Sequence, residues 1–296
     1  MSGDLDWARD GARWPNREAS VFVPAAGLSW HVQRMGSGPV LLLVHGTGSS
    51  THSWRALAPI LAADFTVVAP DLPGHGFTTQ PPADRLSLPG MAADLAALLR
   101  HLDLRPALVA GHSAGAAILC RMVLDGQVAP RGVVSLNGAL LPLGGVAGTI
   151  FSPLARLLAT SSLAARLLAS RLSTRESVER LLAETGSVIE PEGVDLYVRL
   201  VRSPRHVSSA LGMMANWQLE PLRRDLAKLG VPLLLIAGER DHSIPPRDAF
   251  RILDIVPDGA VETRRSLGHL AHEERPADLA VSITRFARTV GALPPI

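Results

Sequence analysis

An α/β fold built on a mostly parallel sheet, with helices on both faces, is predicted by three observations. Strand-like and helix-like segments alternate along most of the chain. Three of the strand-like runs are apolar without interruption, and residues able to do chemistry fall where such runs stop. The alternation implies crossover connections, which lay helices over both faces of a parallel sheet. A strand covered on both faces reads as a continuous apolar run. The 296 residues, 47% hydrophobic and 19% charged, suffice for one large α/β domain carrying an insertion.

The elements follow in order. "SVFVPAAGLSWHVQRMG" places two apolar runs around an Ala-Ala-Gly turn and predicts an opening hairpin. Strands are expected at 40–46, 65–71, 107–113, 132–137, 232–241 and 260–269, and helices near 53–63, 88–102, 114–125, 247–254 and 276–289. The rhythm breaks between about 138 and 230, where helical stretches such as "SPLARLLATSSLAARLLASRL" and "SVERLLAETG" occur without a clear strand. The expected organisation is a leader (1–20), a core in two pieces (21–137 and 231–296) and an inserted helical cap (138–230). Leu154, Leu157, Leu158, Leu167 and Leu168 repeat at helical spacing, and packing of the cap onto the core is preferred to membrane contact.

Composition narrows the partners. A formal charge of +2 gives no footing for nucleic acid, and Lys228 is the only lysine among 29 basic residues. The single cysteine, Cys120, excludes an intrachain disulfide and a multi-cysteine metal site, and is expected to be an ordinary buried thiol. No metal and no cofactor is expected. The first twenty residues are polar and charged, without the apolar core of a signal peptide. The longest stretch free of Asp, Glu, Lys and Arg, Gly132 to Ala155, is broken by Pro142, Pro153 and glycines. It reads as a strand and loop and not as a membrane span, so a soluble cytoplasmic protein is expected.

In a parallel sheet, ligands gather at the carboxyl ends of strands. Gly111-His112-Ser113-Ala114-Gly115 fits G-x-S-x-G between a strand and a helix. Only small residues fit 111 and 115 in so tight a turn, which would lift the Ser113 hydroxyl clear of the sheet as a candidate nucleophile. A hydroxyl needs a base. His269, following the last strand-like run, is the first choice, and His272 is weaker. His112 should point away from the hydroxyl, His45 should brace a neighbouring loop, and His52, His75 and His101 read as structural. The base needs a carboxylate to fix its tautomer. Asp241 is preferred, with Glu239 as the alternate; Asn137 occupies another strand end but cannot carry charge. In "HGTGSS", Gly46 and Gly48 allow close backbone approach, so the amide of Thr47 would join that of Ala114 as an oxyanion hole.

With "VHGTGSS", "DLPGHGFT", "GHSAG", "GERDHSIP" and "GHLAHEERP" in this order, nearly the whole chain resembles the α/β-hydrolase superfamily. The resemblance implies an eight-stranded, mostly parallel sheet, a helical cap over the site, and Ser113, Asp241 and His269 as a catalytic triad. "DWARDGARWPNREAS" ahead of such a domain is similar to the magnesium-chelatase accessory proteins of bacteriochlorophyll biosynthesis. From Gly126 to Arg175 there is no Asp or Glu, while Arg131, Arg156, Arg166, Arg171 and Arg175 are present. Such a cap suits a flat hydrophobic molecule bearing carboxylates, such as a porphyrin, or peripheral contact with an anionic membrane; solvated arginines on a packed cap are the plain alternative. Arg9, Arg13 and Arg17 with Trp7 and Trp14 form either a docking surface or a cover for a sheet edge. The expected function is that of a serine hydrolase acting on an ester of a bulky apolar substrate. The rivals are a non-catalytic accessory that binds a porphyrin or magnesium chelatase, and a cofactor-free haloperoxidase or C–C hydrolase.

Overall fold

The computed structural model describes residues 3–142, 171 and 174–295. The opening hairpin pairs β1 (Ser20–Ala25) with β2 (Leu28–Met35) in antiparallel register. Ala26 and Gly27 between them both take positive φ, 52° and 74°, as a two-residue hairpin turn requires. The later strands are β3 (Val40–Val44), β4 (Thr66–Pro70), β5 (Leu108–His112), β6 (Val133–Leu136), β7 (Leu233–Gly238) and β8 (Gly259–Arg264). All eight join one sheet in the order β1-β2-β4-β3-β5-β6-β7-β8, parallel from β4 to β8.

Side-chain alternation along these strands builds two cores. Leu42, Val44, Val109, Val133, Leu233 and Leu235 face one side. Leu41, Leu43, Leu108, Ala110, Val134 and Ile236 face the other. Helices α3 (Leu88–His101), α4 (Ala114–Leu124) and α8 (Glu220–Asp225) cover the first face, and α2 (Leu57–Leu61) and α11 (Pro276–Thr289) cover the second. Helix α9 (Arg247–Leu253) links β7 to β8. Cys120 lies in the α4 core, where burial pushes its thiol up to about 12.

β8 departs from expectation. The strand stops at Arg264, five residues before His269, because Ser266 turns the chain at a φ of 62°. β7 likewise ends at Gly238, so Glu239, Arg240 and Asp241 lie on the following turn. Both candidate residues therefore sit on loops, just beyond the strand ends.

Above the carboxyl ends of the strands stand α5 (Arg175–Glu184), α6 (Pro191–Val201) and α7 (Pro204–Ala215). Thr174 accepts from Ser177 N–H at the start of α5, Ser203 accepts from His206 N–H at the start of α7, and proline opens both α6 and α7. Val178, Leu182, Val194, Tyr197 and Leu200 from these helices share a third apolar cluster with Trp14 and Phe77. The N-terminal segment thus packs against Phe77 and helices α5 and α6. Trp7, in α1 (Trp7–Asp10), meets Phe22 and Phe77 edge-on, and Trp14 Nε1 donates to Thr51 Oγ1 at 3.1 Å. Asp4 Oδ1 accepts from Ser203 Oγ and from Arg205 N–H, fixing the leader to the start of α7. The leucine repeat from 154 to 168, with Arg156 and Arg166, lies outside the described residues. Among the described residues no helix is long and apolar enough to cross a membrane.

Candidate active site

Ser113 joins β5 to α4 in a conformation few residues adopt, φ 50° and ψ −119°. Its neighbours explain how it persists. A Cβ at 111 would collide with the amide of Ala116, and one at 115 with the carbonyl of Val44, so glycine alone fits both places. The elbow is anchored to β6: Ser113 N–H donates to Leu136 O, and Ser113 O accepts from Ala116 and Ala139 N–H. The half-buried Ser113 side chain stands at the N-terminus of α4, where the first amides, Ala114 among them, have no intrahelical acceptor.

Across the site, His269 Nδ1–H donates to Asp241 Oδ2 at 2.7 Å. The donor role of Nδ1 leaves the lone pair on Nε2 free to accept a proton. Asp241 is held on every side. Oδ2 also accepts from Asn137 Nδ2 at 2.7 Å, and Oδ1 accepts from Ser243 and Ile244 N–H, each at 2.8 Å. Glu239, the alternate, is exposed and takes no part in this cluster. Asn137, at a φ of 48°, is no substitute acid; it is a donor that orients the carboxylate. Among the described residues no hydrogen bond joins Ser113 Oγ to the His269 ring.

The loop after β3 passes directly over the elbow: a Cβ on Gly46 would stand 2.9 Å from Ser113 Cβ. Gly48 has open space around it and is needed for its φ of 74°, not for close approach. His45 braces this loop as expected. Its Nε2 accepts from Leu72 N–H, so Nδ1–H donates to Gly46 O. His206, on α7, adds a second brace by accepting from Gly76 N–H and donating to Gly48 O. Thr47 Oγ1 donates to Met213 Sδ, also on α7, at 3.3 Å. Beneath lies Asp71, which accepts from His31 Nδ1, Thr51 N–H and Phe77 N–H. Burial alone would raise its carboxyl, but His31 and these donors hold it well below the usual range.

Further contacts were not legible in the sequence. His112 Nε2–H donates to the carbonyl of His269 at 2.9 Å. Its ring packs against those of His269 and His272. His272 donates through Nε2 to Ser53 Oγ, and Ser53 donates in turn to Glu273 Oε1. Glu273, in α10 (Ala271–Glu274), also accepts from Tyr197 OH of α6 and pairs with Arg55. Burial pushes His272 down to about 3 and His206 down to about 4, and depresses His45, His52, His75 and His112 as well. These six rings are neutral scaffold. The turn after α5 closes the arrangement: Thr185 O accepts from both His242 and His269 N–H, and Ser187 Oγ accepts from Leu270 N–H. Among the described residues, no group of three or more His, Cys, Asp or Glu side chains is placed to hold a metal ion.

A family model for the alpha/beta hydrolase fold matches residues 39–276. The chain belongs to the α/β-hydrolase fold family. It is 42% identical over 267 residues to a magnesium-chelatase 30 kDa subunit from Rhodobacter capsulatus, covering 88% of this chain and 92% of that one. It is 29% identical to pyrrolizixenacetamide deacetylase of Xenorhabdus hominickii over 85% and 91% of the two chains. A crystal structure of an alpha/beta hydrolase fold protein from Burkholderia ambifaria superposes with a TM-score of 0.77 at 24% identity, covering 90% and 97%. That likeness concerns the fold alone. The features that make this α/β-hydrolase-fold protein a candidate enzyme are the strained elbow and the carboxylate-held imidazole.

Proposed function

We propose that the protein is a serine hydrolase cleaving an ester or similarly activated acyl bond of a bulky apolar substrate. Ser113 Oγ attacks the carbonyl carbon while His269 Nε2 takes its proton. Asp241 stabilises the imidazolium through the Nδ1–H bond, and the Thr47 and Ala114 amides hold the oxyanion. His269 returns the proton to the leaving group, and water, deprotonated by the same ring, releases the acyl group from Ser113. The observation that carries this reading is the His269–Asp241 bond, which leaves His269 Nε2 as a proton acceptor in a chain whose Ser113 stands on a strained elbow. The deacetylase relative supports acyl cleavage as chemistry on this scaffold.

The test is labelling with a fluorophosphonate, followed by peptide mass spectrometry. Label on Ser113, lost in Ser113→Ala and slowed at least about a hundredfold in His269→Ala, is the expected result. Wild-type protein that takes up no label overturns it.

The chelatase-subunit relative favours placing this activity beside magnesium insertion into a tetrapyrrole of bacteriochlorophyll synthesis. It equally supports a second reading, a non-catalytic accessory that binds a porphyrin or the chelatase. A deletion strain rescued by Ser113→Ala as well as by wild type establishes the second reading; rescue by wild type alone establishes the first.

A further inference from the structure

Away from the Ser113 elbow, a second serine ends a relay of the same three residue types. Ser20, at the start of β1, has its Oγ 2.9 Å from His31 Nε2, and His31 Nδ1 lies 2.8 Å from Asp71 Oδ2. We propose that Ser20 is a covalent acceptor site, taking the acyl group from activated esters with apolar acyl chains. The inference is independent of Ser113, since β1 is the sheet edge and β2, β4 and β3 stand between it and β5.

The direction of the hydrogen bonds is the first argument. An ionised Asp71 can only accept, so His31 Nδ1–H donates to it, and in the neutral ring Nε2 is left as an acceptor. Ser20 O–H therefore donates to Nε2, the arrangement that primes a hydroxyl for attack. Gln33 Nε2 donates to the same Oγ at 3.2 Å, and the Thr51 and Phe77 amides keep Asp71 charged. Other serines meet imidazoles without a carboxylate behind them. Ser50 Oγ lies 2.6 Å from His52 Nδ1 and Ser53 Oγ 2.7 Å from His272 Nε2, yet the far nitrogens of both rings have no partner among the described residues.

Access is the second argument. The side chains of His31 and Asp71 are sealed from solvent, whereas Ser20 is half-buried, so only the nucleophile's end of the relay is open. Trp7, Phe22 and Phe77 surround the imidazole, with ring centres 5.0, 5.3 and 5.3 Å from that of His31. Phe22 is 42% exposed and lies two residues along β1 from Ser20, hence on the same face, where it offers an acyl chain an apolar surface.

In the proposed step Ser20 Oγ bonds to the carbonyl carbon as its proton passes to His31 Nε2. The bond from that carbon to the leaving oxygen then breaks, and the leaving group takes the proton from His31; Asp71 stays ionised throughout. Ser20 N–H is spent on Arg17 O and is no oxyanion donor. That restricts the donors to esters with good leaving groups and favours a lasting acyl-serine over turnover.

The test uses the full chain carrying Ser113→Ala, so that the elbow serine takes no part, incubated with p-nitrophenyl butyrate and mapped by peptide mass spectrometry. Butyryl on Ser20 is expected, formed about a hundredfold faster than on Ser29, which is more exposed on the same hairpin. Adding Ser20→Ala abolishes that adduct, and adding His31→Gln or Asp71→Asn slows it about tenfold or more, with circular dichroism melts establishing that each variant is folded. No adduct on Ser20, or one formed no faster than on Ser29, overturns the proposal whether or not the His31 and Asp71 variants fold. An undiminished rate in folded His31→Gln overturns it as well. Because the elbow serine is absent from the experiment, neither result bears on the reading of Ser113.

Discussion

The amide of Asn137 shares Asp241 Oδ2 with the His269 ring, so one oxygen takes two donors while its twin takes two backbone N–H groups. A carboxylate fixed by four donors cannot rotate away from the imidazole without breaking several bonds. Asn137→Ala removes one donor and is expected to slow fluorophosphonate labelling of Ser113 several-fold, with a stability loss of about 1 kcal/mol. Stopped-time labelling beside a denaturant titration checks both. An unchanged labelling rate would mean that the backbone donors alone orient Asp241. At this scale much was legible: the elbow, the His45 brace, and Asp241 and His269 themselves all follow strand-like runs. The role of Asn137 was not, because a hydrogen bond between residues 104 apart depends on how two loops bend. The same holds for the His112–His269 contact across 157 residues.

The leader is the element whose part is clearest in space and least clear in the chain. Its tryptophans were readable either as a docking surface or as cover for a sheet edge, and Trp14 instead lies buried in a cluster with Phe77 and residues of α5 and α6. Trp14 is 3% exposed and its indole N–H is satisfied by Thr51, whose own amide rests on Asp71. Trp14→Ala is therefore expected to cost about 3–5 kcal/mol, by cavity formation and loss of that bond. Trp14→Phe, which retains most of the volume, should cost less. Urea titrations rank the two, and equal midpoints for wild type and Trp14→Ala would refute the packing role. The core elements were legible to within a few residues because apolar runs and helical spacing are local signals. The ends of β7 and β8 were not, since a turn at Ser266 leaves no mark in an otherwise strand-like run.

Over the whole molecule, six buried histidines dominate the response to acid. His45, His52, His75, His112, His206 and His272 are all depressed by burial, to about 4 at His206 and about 3 at His272. The unfolded chain binds protons on these rings below about 6.5, while the native state refuses them. Their contribution is complete above about pH 6.5 and is lost as pH falls towards 3. Each additional proton bound on unfolding steepens the loss by about 1.4 kcal/mol per pH unit. Asp71, held low, adds a loss of the same sign in a more acidic window, below its ordinary carboxyl range. Urea midpoints should be flat from pH 8 to 7 and fall steeply between 6 and 4. A midpoint insensitive to pH across 6.5 to 4 would refute neutral burial of these rings. Sequence reading caught the class and layering of the molecule, which follow from alternation and apolar runs. It gave His52 and His75 as structural, but not the linked polar layer they belong to, since that layer exists only where leader, core and cap meet.

Thr185 gives one carbonyl oxygen to two amides, those of His242 and His269. The turn after α5 is thus stapled at this corner to the two segments that carry Asp241 and His269. Lifting that turn would tug directly on the peptide group of His269. A bulky substrate of the kind proposed above would have to slip in at some other margin, or else arrive while the imidazole is out of place and wait for the corner to settle.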